Sequence, residues 1–331
     1  MHALDLELTS GRTVRFVPLR YLEYEASRSV PNVVVDGSPN ESTRLTLTHW
    51  PGHPAPDGFA DDLSAQMAFR YLDSDMSLHG EAEVVTNNHF DQDGTVSIFA
   101  LTSPDVALAH RDLLVDVASA GDFGTYRDRR AARISMVLSW WSVTEPDPFS
   151  VALDSLPALL RDPDAFRSLW EVEDASLCAS EDAVRDGRIS VVDEPELDLA
   201  IVTVDPSING LWGHRFTARR IDGVHPMAIN NVTDMSTVAI THGSRFTLTH
   251  RYETWVQYVS RPRPHRVALL PLARRLTSMD AVRWRADAVG DLIPTLSHEG
   301  ASTLPPDRFL ELAREHLRTA PPAWDPVVGR T

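Results

Sequence analysis

Alternating hydrophobic and polar positions, followed by helical periodicity, dominate the first third of the chain. The alternation over residues 5–20, broken by a Ser-Gly-Arg turn, predicts an edge hairpin or the first strand. Three further apolar runs end at Asp36, His49 and Asn87, and the pattern over 61–72 predicts a helix between the last two. Strands that alternate with helices in this way are typical of right-handed parallel βαβ units. The N-terminal half is therefore predicted to be α/β, with a mostly parallel, doubly wound sheet.

The second half of the chain has a different pattern. A polar, acidic stretch after residue 170 marks a boundary, and strand and helix patterns are mixed beyond it. The long alternation over 246–259 predicts one extended strand or a strand pair. We expect two domains, an α/β domain over 1–175 and a smaller, mixed α+β domain over 190–320.

Composition narrows the class of protein. The chain has 331 residues, and 43% of them are hydrophobic, which is enough for the cores of two domains. Its apolar runs fall short of the roughly 20 residues of a membrane span, and its first residues lack the pattern of a signal peptide. The single cysteine, Cys178, excludes an internal disulfide framework. We therefore expect a cytoplasmic protein with no membrane partner.

The charge of the chain is strongly acidic, and its basic residues are all arginine. A formal net charge of −16 disfavours nucleic acid as a partner, because phosphate contacts dominate such binding. The absence of lysine from the sequence excludes a lysine Schiff base and a Walker-type phosphate loop. A small anionic substrate stays compatible with this composition, since arginine, backbone N–H groups or a metal ion can hold it.

The densest group of chemically useful side chains follows the strand pattern that ends at Asn87. His89, Asp91 and Asp93 alternate just before Gly94 and an apolar helical run. On an extended loop, side chains two residues apart point to the same side. One imidazole with two carboxylates suits a hard or borderline divalent cation such as Mn²⁺, Zn²⁺ or Mg²⁺. The alternative is a purely local role, in which Asp93 caps the following helix.

Histidine also follows the preceding strand pattern. His49 and His53 lie in a turn rich in proline and glycine, so they do not form the helical pair of a zincin. If the strands are parallel, their carboxyl ends share one edge of the sheet, where Asp36, His49 and His89 would converge. Asp122, at the end of a helical pattern, is a further candidate ligand. The alternative is that both histidines are ordinary loop residues.

The segment that carries these ligands also resembles a known motif. Residues 89–97, His-Phe-Asp-Gln-Asp-Gly-Thr-Val-Ser, are similar to the first motif of the DHH phosphoesterases, which include RecJ-type exonucleases and small-substrate phosphodiesterases. The likeness is confined to residues 84–101, and the Asp-His-His triplet of that family does not occur in the sequence. The resemblance implies two metal ions, usually Mn²⁺, and attack on phosphorus by a metal-bound hydroxide.

The working hypothesis is a metal-dependent, phosphoesterase-like hydrolase that acts on a small anionic substrate. His89, Asp91 and Asp93 would bind one or two divalent ions, with Mn²⁺ favoured, and His49 or Asp122 would complete the shell. Two alternatives stay open: a non-catalytic small-molecule-binding protein, which would hold no metal, and a tailoring enzyme that uses the metal only as a Lewis acid.

The second half of the chain would supply the remaining groups and cover the strand ends. His225 is the candidate general acid for the leaving group. Arg251 or Arg215 would neutralise the substrate anion, although Arg251 could instead form an ion pair with Glu253.

Overall fold

The structure is a computed structural model in which the chain divides into two compact units. Unit 1 comprises residues 1–174 and 258–260, and unit 2 comprises residues 175–257 and 261–331. Within these bounds the structure describes residues 4–7, 11, 13–74, 77–208 and 223–328. Every helix in the described ranges is too short or too polar to span a lipid bilayer.

Unit 1 is built on a parallel sheet. The strands of unit 1 are β1 (Leu4–Glu7), β2 (Thr13–Phe16), β3 (Arg20–Tyr21), β4 (Asn32–Val35), β5 (Thr43–Leu47) and β6 (Val84–Thr86). β1 and β2 pair antiparallel, as predicted for the hairpin. The other four strands have the order β3-β6-β4-β5, and each neighbouring pair is parallel. The predicted α/β class and the parallel sheet are thus confirmed.

Helices of unit 1 pack on this sheet and on one another. They are α1 (Tyr24–Ser27), α2 (Ser64–Leu72), α3 (Gln92–Thr102), α4 (Pro104–Ala109), α5 (Arg111–Asp122), α6 (Arg129–Thr144), α7 (Pro148–Arg161) and α8 (Arg167–Arg185), the last of which extends into unit 2. α2 and α3 contact strands of the sheet, α5 packs on α3, and α6 packs on α5. The doubly wound arrangement, with helices on both faces, stays a prediction.

The central strand β4 and the helix α2 set the position of the site. All four residues of β4 are buried, which suits a run of β-branched side chains covered on both faces. The helix predicted over 61–72 begins only at Ser64. Asp61 and Asp62 do not cap it, because their carboxylates bind Arg70 and the backbone of residues 259 and 260 instead.

Unit 2 contains a mixed sheet of six strands, so the predicted α+β character of this part is confirmed. The strands of unit 2 as a whole are β7 (Ile189–Glu194), β8 (Leu199–Val204), β9 (Thr237–His242), β10 (Arg245–His250), β11 (Arg266–Val267), β12 (Trp284–Ala286), β13 (Thr295–His298) and β14 (Pro322–Trp324). The sheet has the order β12-β13-β10-β9-β8-β7, and its β8–β9 pair is parallel while its other pairs are antiparallel. β11 and β14 form a separate antiparallel pair.

The helices of unit 2 are α9 (Pro226–Asn230), α10 (Leu270–Thr277) and α11 (Pro306–Thr319). Its core includes the rings of Phe246, Trp284 and Phe309, which are stacked. The long strand predicted over 246–259 is wrong, because β10 ends at His250 and a 3-10 turn follows at Tyr252–Thr254. Past the strand, burial no longer follows the alternation in the sequence, because the turn buries the consecutive residues Glu253 and Thr254.

Candidate metal centre

Three strand ends of unit 1 converge, as predicted for parallel strands. Asp36 follows β4, His49 lies two residues after β5, and His89 lies three residues after β6. Oδ1 of Asp36 is 3.3 Å from Nε2 of His49. Oδ2 of the same carboxylate is 3.5 Å from Nε2 of His89. Asp36 therefore lies between two imidazoles and presents one oxygen atom to each.

Two groups of potential metal ligands share Asp36. The first consists of Asp36, His49 and Asp93, and the second of Asp36, His89 and Asp91. Within each group the ligand atoms lie within 4.8 Å of one another. The predicted triad of His89, Asp91 and Asp93 is thus divided between two adjacent positions. The extended-loop geometry behind that triad is wrong beyond Asp91, because α3 begins at Gln92.

The first group is closed to solvent. The side chains of Asp36, His49 and Asp93 have no exposed surface. Nε2 of His49 is 3.8 Å from Oδ2 of Asp93 and 3.4 Å from Oδ2 of Asp122, the last residue of α5. Asp122 is therefore placed where it can extend this group.

The second group opens to solvent. Nε2 of His89 lies 2.7 Å from Oδ2 of Asp91, and these side chains are 32% and 17% exposed. The indole of Trp50 packs over the imidazole of His89, with ring centroids 4.9 Å apart. Of the two groups, this is the one that a molecule in solvent can contact.

The first residues of α2 hold the closed group in place. The Ser64 hydroxyl donates to Oδ1 of Asp36 at 2.9 Å. The backbone N–H groups of Ser64 and Ala65 donate to the two oxygens of Asp93 at 2.8 and 2.7 Å. Asp93 thus lies at the N-terminus of α2, where the helix dipole and free N–H groups favour a carboxylate.

Asp91, and not Asp93, caps the helix that follows. Oδ1 of Asp91 accepts the N–H of Gly94 at 2.8 Å, while Asp93 lies inside the first turn of α3. The local role considered for Asp93 therefore belongs to Asp91, which combines it with the contact to His89. The backbone of His89 is held separately, because its N–H donates to Oδ1 of Asn87 at 2.8 Å.

The backbone at Asp36 is strained in a way that marks the site. Its φ of +45° is left-handed, a conformation that Asp and Asn adopt more readily than most residues but still at an energetic cost. Its N–H remains bonded to the carbonyl oxygen of Leu47, at 2.9 Å, so the strand pairing extends to this residue. Strain of this kind is common where a side chain must point to a functional site.

The ionisable groups of the cluster shift one another's pKa values strongly. Burial alone would raise the pKa of Asp36, but its hydrogen bond with His49 and the positive charges of His89 and His49 lower it. Burial would lower the pKa of both histidines, yet the neighbouring carboxylates raise that of His49 to about 8 and that of His89 to about 9. Burial and the charge of Asp36 raise the pKa of Asp93. These shifts hold the two histidines towards their protonated form and Asp93 towards its neutral form in the ion-free protein.

The donor set fits a divalent cation. It offers carboxylate oxygens and imidazole nitrogens, the ligands that suit Mn²⁺ and Zn²⁺. Among the described residues, Oδ2 of Asp36 is fully buried yet accepts no hydrogen bond. A buried carboxylate oxygen in that state is costly unless a cation or water satisfies it.

The candidate catalytic residues from the second half lie in unit 2. His225 is buried, and its Nδ1 accepts the N–H of Met227 at 3.2 Å, which caps α9. Arg251 is also buried and pairs with Oε1 of Glu253 at 2.5 Å, so the ion pair considered above is present. Arg215 lies outside the described residues. The catalytic roles of all three stay predictions.

Asp36, Ser64 and Asp62 were not among the predicted metal ligands or catalytic residues. Asp36 carried a usable signal, because an aspartate at the end of a buried strand in a parallel sheet lies at the usual ligand edge. Nothing in the sequence marked Ser64 or Asp62 beyond their position at the start of the predicted helix, since their contacts depend on the tertiary fold.

The fold and the site together define an α/β protein with a buried Asp–His cluster at the ends of parallel strands. The chain belongs to a family of unknown function, DUF6687, whose model matches residues 17–327. No curated protein and no solved structure matches the chain.

Proposed function

We propose that this protein is a metal-dependent hydrolase that holds two divalent cations, with Mn²⁺ favoured. The observation that carries the proposal is the position of Asp36, whose two oxygens face different imidazoles and belong to both ligand groups. His49 and Asp93 would hold one ion with Asp36, and His89 and Asp91 the other. Asp122 would contribute to the closed position.

A bound pair of divalent ions would supply Lewis acidity and would lower the pKa of water. The chain's own residues supply the rest. Ser64 and the N-terminus of α2 hold Asp36 and Asp93, and Asn87 holds the backbone of His89. Because the second group is the exposed one, a substrate would bind on the side of His89, Asp91 and Trp50.

A small anionic ester is the substrate class that we favour, and a phosphoester in particular. The likeness of residues 84–101 to the first DHH motif supports phosphoester chemistry, and a pair of cations would attract an anion despite a net charge of −16. The same charge disfavours a polymeric nucleic acid. Group transfer with the metal as Lewis acid is the nearest alternative within this proposal.

A structural Asp–His network without any ion is the rival, and the contacts of Asp93 favour it. Both of its oxygens already accept backbone N–H groups, so this side chain has a role in the fold alone. Two protonated imidazoles would then take the place of cations. Metal stoichiometry separates the two, because the rival binds no ion.

Elemental analysis of protein loaded with Mn²⁺ or Zn²⁺ tests the proposal. We expect about two equivalents in the wild type, about one in His89→Ala and less than one in Asp36→Asn, because Asp36 serves both positions. Asp116→Asn is the matched control, since Asp116 is a buried aspartate of unit 1 whose carboxylate, among the described residues, accepts backbone N–H groups alone. Absence of metal under every loading condition, or full occupancy in Asp36→Asn, would overturn the proposal.

Activity is measured on the loaded protein. The panel contains an aryl phosphodiester, an aryl phosphomonoester and a carboxylic ester of the same aryl group. Phosphoester hydrolysis that is lost in Asp36→Asn and kept in Asp116→Asn is expected. Hydrolysis of the carboxylic ester alone would reject the substrate class while leaving the metal centre intact.

A further inference from the structure

Asp62 contacts the metal-ligand candidate His49 through its backbone. Nδ1 of His49 lies 2.6 Å from the carbonyl oxygen of Asp62, and the imidazole has no exposed surface. A carbonyl oxygen can only accept a hydrogen bond, so Nδ1 carries the hydrogen. That leaves Nε2, which faces Asp36, Asp93 and Asp122, as the atom available to an ion.

The side chain of Asp62 is held by a segment distant in sequence. Oδ1 of Asp62 accepts the N–H groups of Val259 and Ser260 at 2.8 and 2.9 Å. Hydrogen bonds of this kind, to an ionised carboxylate, are stronger than those between neutral groups. The residue is only 9% exposed, so little water competes for its carboxylate.

The same segment also contacts the residue that follows Asp122, the further candidate ligand of the closed group. The ring of Tyr258 packs edge-to-face on Phe123, with centroids 5.4 Å apart, and Phe123 follows Asp122. Residues 258–260 belong to unit 1, although the chain before and after them belongs to unit 2. Residues 258–260 therefore contact Asp62 and Phe123, which adjoin two candidate ligands, His49 and Asp122.

We propose that Asp62 is a positioning residue, which fixes the tautomer and orientation of His49 through its carbonyl and takes its own position from the N–H groups of Val259 and Ser260. This inference rests on the proposed metal centre for its functional consequence. Outer groups that orient a metal-ligating histidine are general features of such sites, and their loss weakens metal binding by about 10- to 100-fold.

A purely structural role for Asp62 makes a different prediction. Asp116 is the matched comparison, because it is also 9% exposed and also accepts two backbone N–H groups, those of Arg127 and Asp128. If Asp62 only anchors a loop, Asp62→Ala and Asp116→Ala should lower stability alike and leave His49 unchanged.

The first measurement is made on metal-free protein. Nitrogen NMR of the His49 ring, above the pH at which it loses its second proton, should show the Nδ1–H tautomer in the wild type and in Asp116→Ala. In Asp62→Ala we expect a mixture of tautomers. Asp62→Asn, whose amide oxygen can still accept both N–H groups, should restore most of the wild-type signal and is the variant to use if Asp62→Ala does not fold.

The second measurement is Mn²⁺ affinity by titration. It should fall about 10- to 100-fold in Asp62→Ala, less in Asp62→Asn, and not in Asp116→Ala. An unchanged tautomer together with wild-type affinity in Asp62→Ala would overturn the positioning role. A wild type that binds no Mn²⁺ would instead reject the proposed function, and the NMR result would still decide whether Asp62 orients His49.

Discussion

Nδ2 of Asn87 occupies the space that a β-carbon on Gly94 would need. Asn87 is 2% exposed and cannot move outward freely, and its Oδ1 holds the N–H of His89 at 2.8 Å. Gly94 in turn donates its N–H to Asp91. The glycine in the first turn of α3 is therefore required by the asparagine that positions His89, and not by the helix itself.

Gly94→Ala should weaken the open ligand group. In an ordinary helix this change stabilises by roughly 0.5–1 kcal/mol, but here the added methyl group must displace Asn87. We expect lower stability in urea unfolding and weaker Mn²⁺ binding. The double variant Asn87→Ala/Gly94→Ala should recover stability but not metal affinity, since the His89 N–H still lacks its acceptor. Recovery of both would contradict the role given to Asn87.

Ser64→Ala should cost stability at a buried hydroxyl. It removes the donor to Asp36 Oδ1, where the net loss for a hydrogen bond to a charged group is about 1.5–3 kcal/mol, and it also removes the acceptor of the His49 backbone N–H. Ser176→Ala is the control, because Ser176 is also buried but its hydroxyl has no hydrogen-bond partner among the described residues. Chemical denaturation of both variants, without metal, should show a loss in the first and none in the second. Equal effects would mean that the contact with Asp36 contributes nothing.

Metal binding should release protons and strengthen as the pH rises. The pKa values of His49 and His89 are raised to about 8 and about 9, so both imidazoles are largely protonated at pH 7 in the ion-free protein. An ion can bind only the neutral imidazole. Calorimetry in two buffers of different ionisation enthalpy should therefore report proton release at pH 7 and little at pH 10. A metal affinity that does not change with pH would mean that neither imidazole is a ligand.

Acid should destabilise unit 2 through His250. Burial and the nearby charge of Arg266 lower the pKa of His250 to about 3, so the folded state keeps it neutral. Between that value and the ordinary pKa of about 6.5, the unfolded state binds the extra proton, and stability falls as the pH falls. The loss should reach about 2 kcal/mol at pH 5.

His250→Gln removes this titration and should flatten the dependence of unfolding free energy on pH between 6.5 and 4. His242→Gln is the control, since His242 ends the adjacent strand β9 and is less buried. The same slope in His250→Gln as in the wild type would assign the acid sensitivity to other groups.

The ligand edge of the fold could be predicted from the sequence, because it follows from local pattern. Apolar runs that end at Asp36, His49 and Asn87 predicted strands, and parallel pairing then required their ends to meet. The division of His89, Asp91 and Asp93 into two groups could not be predicted. It depends on α3 starting at Gln92, and helix boundaries are set by caps that compete with other uses of the same side chains.

Long-range contacts account for the remaining differences between the predictions from the sequence and the structure. The alternation over 246–259 indicated a strand, but the backbone turns after His250, where the buried pair of Arg251 and Glu253 lies. The contact of Asp62 with Val259 and Ser260 joins residues almost 200 positions apart, at separations of 197 and 198. No pattern in a single sequence records a contact of that kind.

The inclusion of residues 258–260 in unit 1 has a consequence for biosynthesis. Every candidate ligand lies before residue 123, so a ribosome releases the whole set early. The N–H groups that hold Asp62 emerge only after about half of the second unit has been made. A nascent chain can thus expose a complete ligand set before the N–H groups that hold Asp62 have been made.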